Sequence, residues 1–534
     1  MAGRLIVPGP GRDKKASLLL AGTLALIGLI AAVATPFDDL SFDGMNRRIE
    51  SVLGLSAGWN PVKDPTFQEG VRLSETNPYL RGSFVIQTGY QYSLGNLLAA
   101  YLVKLTGNLN AGKAVTPILV ITSFGIAFGA LASLALPIGW CLALALMAAL
   151  NPVAIAQSSS YYIDGHTGSL FTAMLFSALR LLCAGLHLDG LVALVFSFLG
   201  LSASKTSGLF YGIIIDGIFL GFYTATHLKN LRPMLIFVSI SALVTWPVGM
   251  LFRQLGGFPS LTMNYLKTAT NPATAGFGVG DKSYGQDAML KLDRVQIFVM
   301  SYFAPSSSMP DRVETKFPFY FNRRELSLFE DLSPDPRAGG FGPLYGGCLL
   351  LSMVSFGLIL LGRAPPAAAF FPILPVLLSV GLTQTWWARW APQGWLLPVC
   401  LLLPALAAWS KQKPGRRWVV PFLSLFTGLL NSIMILLFYS VGCVKSQKVL
   451  NSQLAFLKTQ PQPLSIHMPK FLSNRIWLIR NGIGYSLLSA EPPTPRLLLH
   501  RTSTRVGLPA GFRPETDLPP ETRKAWEKRN LLEP

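Results

Sequence analysis

Residues 16–44 join a long apolar run to a cluster of acids: Ala16-Ser-Leu-Leu-Leu-Ala-Gly-Thr-Leu-Ala-Leu-Ile-Gly-Leu-Ile-Ala-Ala-Val-Ala34, then Thr35-Pro36-Phe37-Asp38-Asp39-Leu40-Ser41-Phe42-Asp43-Gly44. At helical rise the apolar run is long enough to cross a hydrocarbon core. Three carboxylates follow at once. Acids are costly inside lipid, so a group of them at the end of a span is either a solvated loop or helix cap, or a site working at the membrane surface. The remainder of the chain favours the site.

Composition sets the class. Of 534 residues, 51% are hydrophobic and 13% charged, with mean hydropathy +0.43, whereas soluble domains carry roughly a quarter charged residues. The expected fold is an all-α polytopic membrane protein. A net charge of +19 fits basic loops and contact with anionic membrane lipid. No basic stripe interleaved with aromatics accompanies it, so no nucleic-acid partner is expected. Cys141, Cys183, Cys348, Cys400 and Cys443 lie in or beside apolar runs without CxxC spacing and read as small buried hydrophobes.

Arg4, Arg12, Lys14 and Lys15 precede the first span and place the N-terminus in the cytoplasm. The first run is too long for a signal-peptide core and no small-x-small cleavage site follows, so it reads as an anchor. Further spans are expected at 116–136, 138–156, 169–186, 188–201, 209–226, 234–252, 344–361, 367–382, 395–409 and 419–441. Residues 93–106, with Lys104, are short for a crossing. If they do not cross, the basic loops at Arg180, Lys229 and Arg232, Arg363 and 411–417 all fall on the side of the N-terminus, which gives about eleven spans.

This topology divides the chain into a membrane domain, 1–441, with external loops 36–115 and 253–343, and a C-terminal region, 445–534. The latter, with short apolar runs at 476–479 and 497–499, is expected to be a small extracytoplasmic α/β or β domain, partly disordered. The polar islands then gather on one face: Asp38, Asp39 and Asp43 after the first span, Asp164 and His166 after the third, Lys205 between two spans, Arg389 between late ones. Carboxylates from separate loops can orient a hydroxyl or hold a divalent cation, and Lys and Arg can neutralise a phosphate leaving group.

Five stretches carry a resemblance. Phe37-Asp38-Asp39-Leu40-Ser41-Phe42-Asp43 is similar to the Asp-x-x-x-aromatic start of the first external loop in bacterial C-type glycosyltransferases. Residues 151–165, ending Tyr161-Tyr162-Ile163-Asp164-Gly165, resemble that family's second acidic loop. Ser204-Lys205-Thr206-Ser207-Gly208-Leu209 is similar to its Lys-x-x-Gly-Leu element. Residues 335–344, with Arg337, and Trp386-Trp387-Ala388-Arg389-Trp390-Ala391-Pro392-Gln393 resemble stretches in bacterial members, the latter matching an Arg-aromatic-x-Pro element near the lipid-phosphate pocket.

The resemblance implies inverting transfer of a sugar from a polyprenyl-phosphate donor to an extracytoplasmic glycan or lipid acceptor, at a bacterial cell membrane. It implies Asp39 as the catalytic acid, with Asp38 as the rival register, and Asp164 as the second carboxylate. Lys205, Arg389 and Arg337 would bind donor phosphate. Asp43, Tyr162, His166, Tyr284 and Trp387 are the candidate substrate-binding residues. Asp39 and Asp164 are the candidate ligands of a divalent metal, magnesium or manganese.

Each assignment has a plainer counterpart. His166 would point away from Asp164 on a helix and cap or pack; Lys205 would snorkel; Trp386, Trp387, Trp390 and Trp395 would form an aromatic belt. Gly339-Gly340-Phe341-Gly342 reads as a tight loop entering Leu344, without the Lys-Ser of a phosphate-binding loop. Arg323-Arg324-Glu325 opens an amphipathic helix with a packing role. The region around Tyr284 reads as a cover over the site or a linker. The competing functions are a lipid-linked glycan flippase, disfavoured by the lack of internal repeats, and an O-antigen polymerase or ligase.

Overall fold

The computed structural model describes residues 22–61, 63–64, 93–226, 294–307, 314–331, 339–360, 365–381, 387–410, 415–469, 472–493 and 495–533, apart from Leu24. Its helices are α1 (Ala25–Ala34), α2 (Ile49–Ser56), α3 (Leu94–Thr106), α4 (Val115–Ser133), α5 (Ile138–Ala149), α6 (Pro152–Ala156), α7 (Asp164–Ala184), α8 (Leu188–Ser204), α9 (Thr206–Thr226), α10 (Arg294–Phe303), α11 (Arg323–Glu330), α12 (Tyr345–Leu360), α13 (Ile373–Gly381), α14 (Leu397–Trp409), α15 (Val419–Thr459), α16 (Arg475–Arg480), α17 (Pro514–Asp517) and α18 (Pro520–Glu527). The strands are β1 (Leu464–His467), β2 (Tyr485–Leu487), β3 (Arg496–Leu498), β4 (Arg505–Gly507) and β5 (Leu532–Glu533).

The protein is a mostly helical, polytopic membrane protein. Among the described residues five helical segments are long and apolar enough to cross a bilayer: Leu109–Ser133, Asp164–Ala184, Ser207–Ala225, Pro392–Trp409 and Arg416–Thr459. The other expected spans fall on shorter apolar helices, and the one at 234–252 lies outside the described residues. A central bundle packs α4 on α7, α7 on α8 and α8 on α9; beside it α12 packs on α14 and α15.

Local chemistry explains the boundaries. The expected span 138–156 is two helices. Asn151 adopts ψ 124° ahead of Pro152 and its side chain caps Val153 N at 3.0 Å, so α5 stops and α6 starts afresh. Residues 93–106 form one helix, capped by Ser93 at its start and closed by Gly107 at φ +66°. Its 13 residues reach only about 20 Å. Leu97, Tyr101 and Leu105 are exposed while Ala99, Ala100 and Val103 are buried, which fits a helix lying along an interface. Gly339-Gly340-Phe341-Gly342 is the expected tight loop: Gly339 has φ +56°, and Asn431 brackets it by donating to Phe341 O at 2.8 Å and accepting from Leu344 N at 2.9 Å.

The expected division at 441–445 falls inside α15. That helix runs unbroken for 41 residues, about 60 Å and twice a hydrocarbon core, because no Gly or Pro occurs between Cys443 and Thr459. It carries the last span straight into the C-terminal domain. There a five-stranded sheet has the order β2-β1-β4-β3-β5. β1 and β2 are parallel, with Ser465 opposite Ser486, joined through α16; the other pairs are antiparallel, with Val506 opposite Ile466 and Leu497, and Leu532 opposite Leu497.

The described residues of the tail carry secondary structure as far as β5. Trp526 of α18 is buried, with Nε1 donating to Ser452 Oγ of α15 at 3.1 Å. One apolar cluster joins this domain to the segment after α1: Met45, Ile49 and Val52 share it with Ile466, Ile476 and Leu454.

Candidate active site at the ends of the spans

Three breaks in helix build the site. Asp164 opens α7 after the loop 157–163. Lys205 is a single extended residue, φ −158°, between α8 and α9, and Gly208 lets the two helices turn tightly there, since a Cβ would strike the Leu201 backbone. Arg389 lies in the turn ahead of α14. Asp43 precedes the π-helical turn Gly44–Arg48 that leads into α2.

These residues converge. Lys205 Nζ donates to Asp164 Oδ1 at 2.7 Å, and Arg389 Nε stands 3.2 Å from Asp164 Oδ2. Arg389 Nη2 donates to Asp43 Oδ2 at 2.8 Å, so one guanidinium bridges acids from two distant loops. Aromatic faces wall the cations: Lys205 Nζ is 3.8 Å from the Trp390 ring centroid, and Arg389 Cζ is 4.8 Å from that of Tyr162 and 5.3 Å from that of Trp387. Tyr211 of α9 donates to Trp390 O at 3.1 Å. Arg48 lies within electrostatic reach of Asp164, so three cations face two carboxylates. Asp164 is 4% exposed and Asp43 28%, which makes Asp43 the acid open to an incoming molecule.

The other two acids of the first loop are held elsewhere. Asp39 is buried; its Oδ1 accepts from Ser41 N at 2.8 Å and Ser41 Oγ at 2.5 Å, and its Oδ2 from Tyr161 N at 2.7 Å. Burial lifts its carboxyl above the ordinary range, opposed by the hydrogen bonds from Ser41 and Tyr161. A Cβ on Gly44 would overlap that carboxylate, so only glycine lets the loop fold over it. Asp38 accepts from Asn110 Nδ2 at 3.0 Å, Arg480 Nη1 at 2.8 Å and Gln447 Nε2 at 2.9 Å. Lys113, buried, donates to Phe37 O and faces both acids. Asp39 thus ties the first loop to the loop bearing Tyr162 and Asp164, and Asp38 ties it to the C-terminal domain.

Of the residues singled out from sequence, Asp43, Tyr162, Asp164, Lys205, Trp387 and Arg389 come together, and Lys205 is ion-paired rather than snorkelling. His166 accepts or donates at Nε2 to Thr116 Oγ1, 2.9 Å away in α4, and packs against Gly95. Trp395, read as part of a belt, is instead core: its Nε1 donates to Met147 O at 2.6 Å and its ring packs on Tyr345. Tyr284, Arg337 and Trp386 lie outside the described residues. Arg48 and the Tyr161 amide were missed; Arg48 follows Asp43 by five, a spacing with no signature of its own.

The donor set does not suit the expected divalent metal. Both Asp39 oxygens accept from protein N–H or O–H groups and both Asp164 oxygens face cations. Among the described residues no three His, Cys, Asp or Glu side chains gather to hold an ion.

No family model and no curated protein matches the chain. Among solved structures it is similar to ArnT from Cupriavidus metallidurans in the apo state, at 12% identity and a TM-score of 0.41, covering 89% of this chain and 86% of that one. It is likewise similar to the same protein bound to undecaprenyl phosphate, at 13% identity and a TM-score of 0.40, covering 90% and 86%.

Proposed function

We propose that the chain is an integral-membrane glycosyltransferase that moves a sugar from a polyprenyl-phosphate donor to a glycan or lipid acceptor on the extracytoplasmic face of a bacterial membrane. One observation carries the reading: Arg389 and Lys205, walled by Tyr162, Trp387 and Trp390, join an open carboxylate, Asp43, to a buried one, Asp164. The first-loop, second-loop and lysine stretches that carried the resemblance to C-type glycosyltransferases all contribute to it.

In this reading the donor phosphate enters between Lys205 and Arg389 and competes with Asp164 and Asp43 for their N–H groups. Displaced from Arg389, Asp43 accepts the proton of the acceptor hydroxyl. The acceptor oxygen bonds to the anomeric carbon as the bond from that carbon to the phosphate oxygen breaks, on the opposite face, with inversion. A carboxylate is a weak base toward an alcohol, so the main help comes from the cations that receive the charge growing on the leaving phosphate. Asp164 holds both cations in place. Asp39, the acid expected from sequence to be catalytic, takes a positioning role here, because its oxygens are filled by Ser41 and Tyr161.

The test is transfer of labelled sugar by the reconstituted protein. Asp43→Asn lowers transfer roughly 10²–10⁴-fold while polyprenyl-phosphate binding persists; Arg389→Gln and Lys205→Met weaken that binding about tenfold or more each. Unchanged transfer in Asp43→Asn would refute the assignment. Donor transport across vesicles without any transfer would favour the flippase reading.

A further inference from the structure

Residues 314–331 form a two-sided element away from the cation cluster. Its inner side is stapled: Glu325 pairs with Lys316 and accepts from Ser306 N at 2.9 Å, while Leu326 and Phe329 are buried against α15. Its outer side displays Phe317 at 70%, Tyr320 at 57% and Phe321 at 44% exposure, with Phe319 beside them and Arg323 and Arg324 exposed next in sequence. Tyr320 N donates to Phe317 O at 2.9 Å, a turn that turns the rings outward together.

Two contacts place this element at one level of the bundle. Gly347 N, in the first turn of α12, donates to Pro318 O at 3.1 Å, and the Phe319 ring sits on Gly347. At the other end the Glu330 backbone packs on Gly442 of α15 and Glu330 pairs with Lys445. Below these points both helices show exposed apolar side chains: Leu350, Met353 and Val354 on α12, and Ile433, Leu437 and Val441 on α15. The aromatic strip is therefore continuous with the lipid-facing surface and lies where that surface gives way to charge. Rings of this kind, with arginines beside them, suit the boundary between acyl chains and headgroups.

We propose that residues 317–324 form a membrane-surface anchor, the aromatic rings sinking into the headgroup boundary and Arg323 and Arg324 holding anionic lipid headgroups. The anchor fixes the connection between α10 and α12. It does not depend on the chemistry assigned to the cation cluster. Charge complementarity selects anionic lipid over neutral lipid.

Spin labels test this on the full-length protein, with Cys183→Ser removing the partly exposed native thiol. Phe317→Cys and Tyr320→Cys, labelled in phosphatidylcholine vesicles, show an oxygen-to-nickel-chelate accessibility ratio several-fold above that of a label at exposed Glu521→Cys. If one variant fails to fold, Phe321→Cys replaces it. Adding phosphatidylglycerol in equal parts shifts the Tyr320 label deeper, and Arg323→Gln with Arg324→Gln removes that shift. Nickel accessibility equal to the Glu521 label overturns the anchor. So does shielding from both relaxants, which would mean a protein cover. An identical phosphatidylglycerol response in the double variant overturns the anionic selectivity.

Discussion

Asp39 and Asp43 are four residues apart and chemically alike, yet their surroundings separate them. Asp39 accepts three hydrogen bonds in a buried pocket, whereas Asp43 meets Arg389 with part of its side chain open. Removing each should therefore fail differently. Asp39→Ala leaves the Ser41 and Tyr161 amides without their acceptor and should cost about 2–3 kcal/mol, read as a lowered Tm in detergent. Asp43→Asn should leave Tm within a degree or two of the parent while transfer falls roughly 10²–10⁴-fold, the range for losing a general base. An Asp43→Asn variant that loses Tm but retains specific activity would reverse the assignment.

Among elements, α2 and α16 meet across a buried pair. Arg475 Nη1 lies 3.3 Å from Glu50 Oε1, and both side chains are under 10% exposed. Burial outweighs Arg475 and pushes the Glu50 carboxyl up to about 7 from 4.5. The folded state then binds a proton between those values that the unfolded chain does not. The contribution of Glu50 is fully present below about 4.5 and is lost as pH rises through 7, at most about 3 kcal/mol. Tm measured from pH 4.5 to 7 should fall through this term, and Glu50→Gln should flatten that part of the profile; an unaltered slope would show that the pair stays ionised throughout. Helix α15 holds a second such contact between elements. Gly442 admits the Glu330 backbone with no space for a Cβ, so Gly442→Leu should displace α11 while leaving α15 helical, seen as faster hydrogen exchange in 323–330.

For the whole molecule, the C-terminal domain is part of the site's support. Arg480 and Gln447 hold Asp38, Ser473 Oγ donates to Met45 O, and the apolar cluster runs without interruption from Val52 to Ile476. Deleting 460–534 should raise hydrogen exchange across 38–56 tenfold or more while α7 and α8 keep their protection; equal protection in both forms would make the domain a mere appendage. Much of the plan was legible beforehand. Apolar run length marked the helices, because each span must meet lipid by itself, and acids, Lys205 and Arg389 at run ends marked where polar chemistry gathers. Which of the three acids meets Arg389 was not legible. Asp38, Asp39 and Asp43 sit within six residues, and local pattern is the same for a carboxylate that ends under Ser41 and Tyr161 as for one that meets Arg389. Nor did the polar residues after Val441 reveal that α15 continues; the short apolar runs after 460 suggested a small α/β or β domain, but its strand order depends on partners far along the chain. Hydrophobic period and span length are properties of neighbours in sequence, so the chain alone determined a polytopic helical protein with polar loops. The choice of Asp43, its bridge through Arg389 to Asp164, and the domain that holds the loop in place come from contacts across more than a hundred residues, which only the tertiary fold decides.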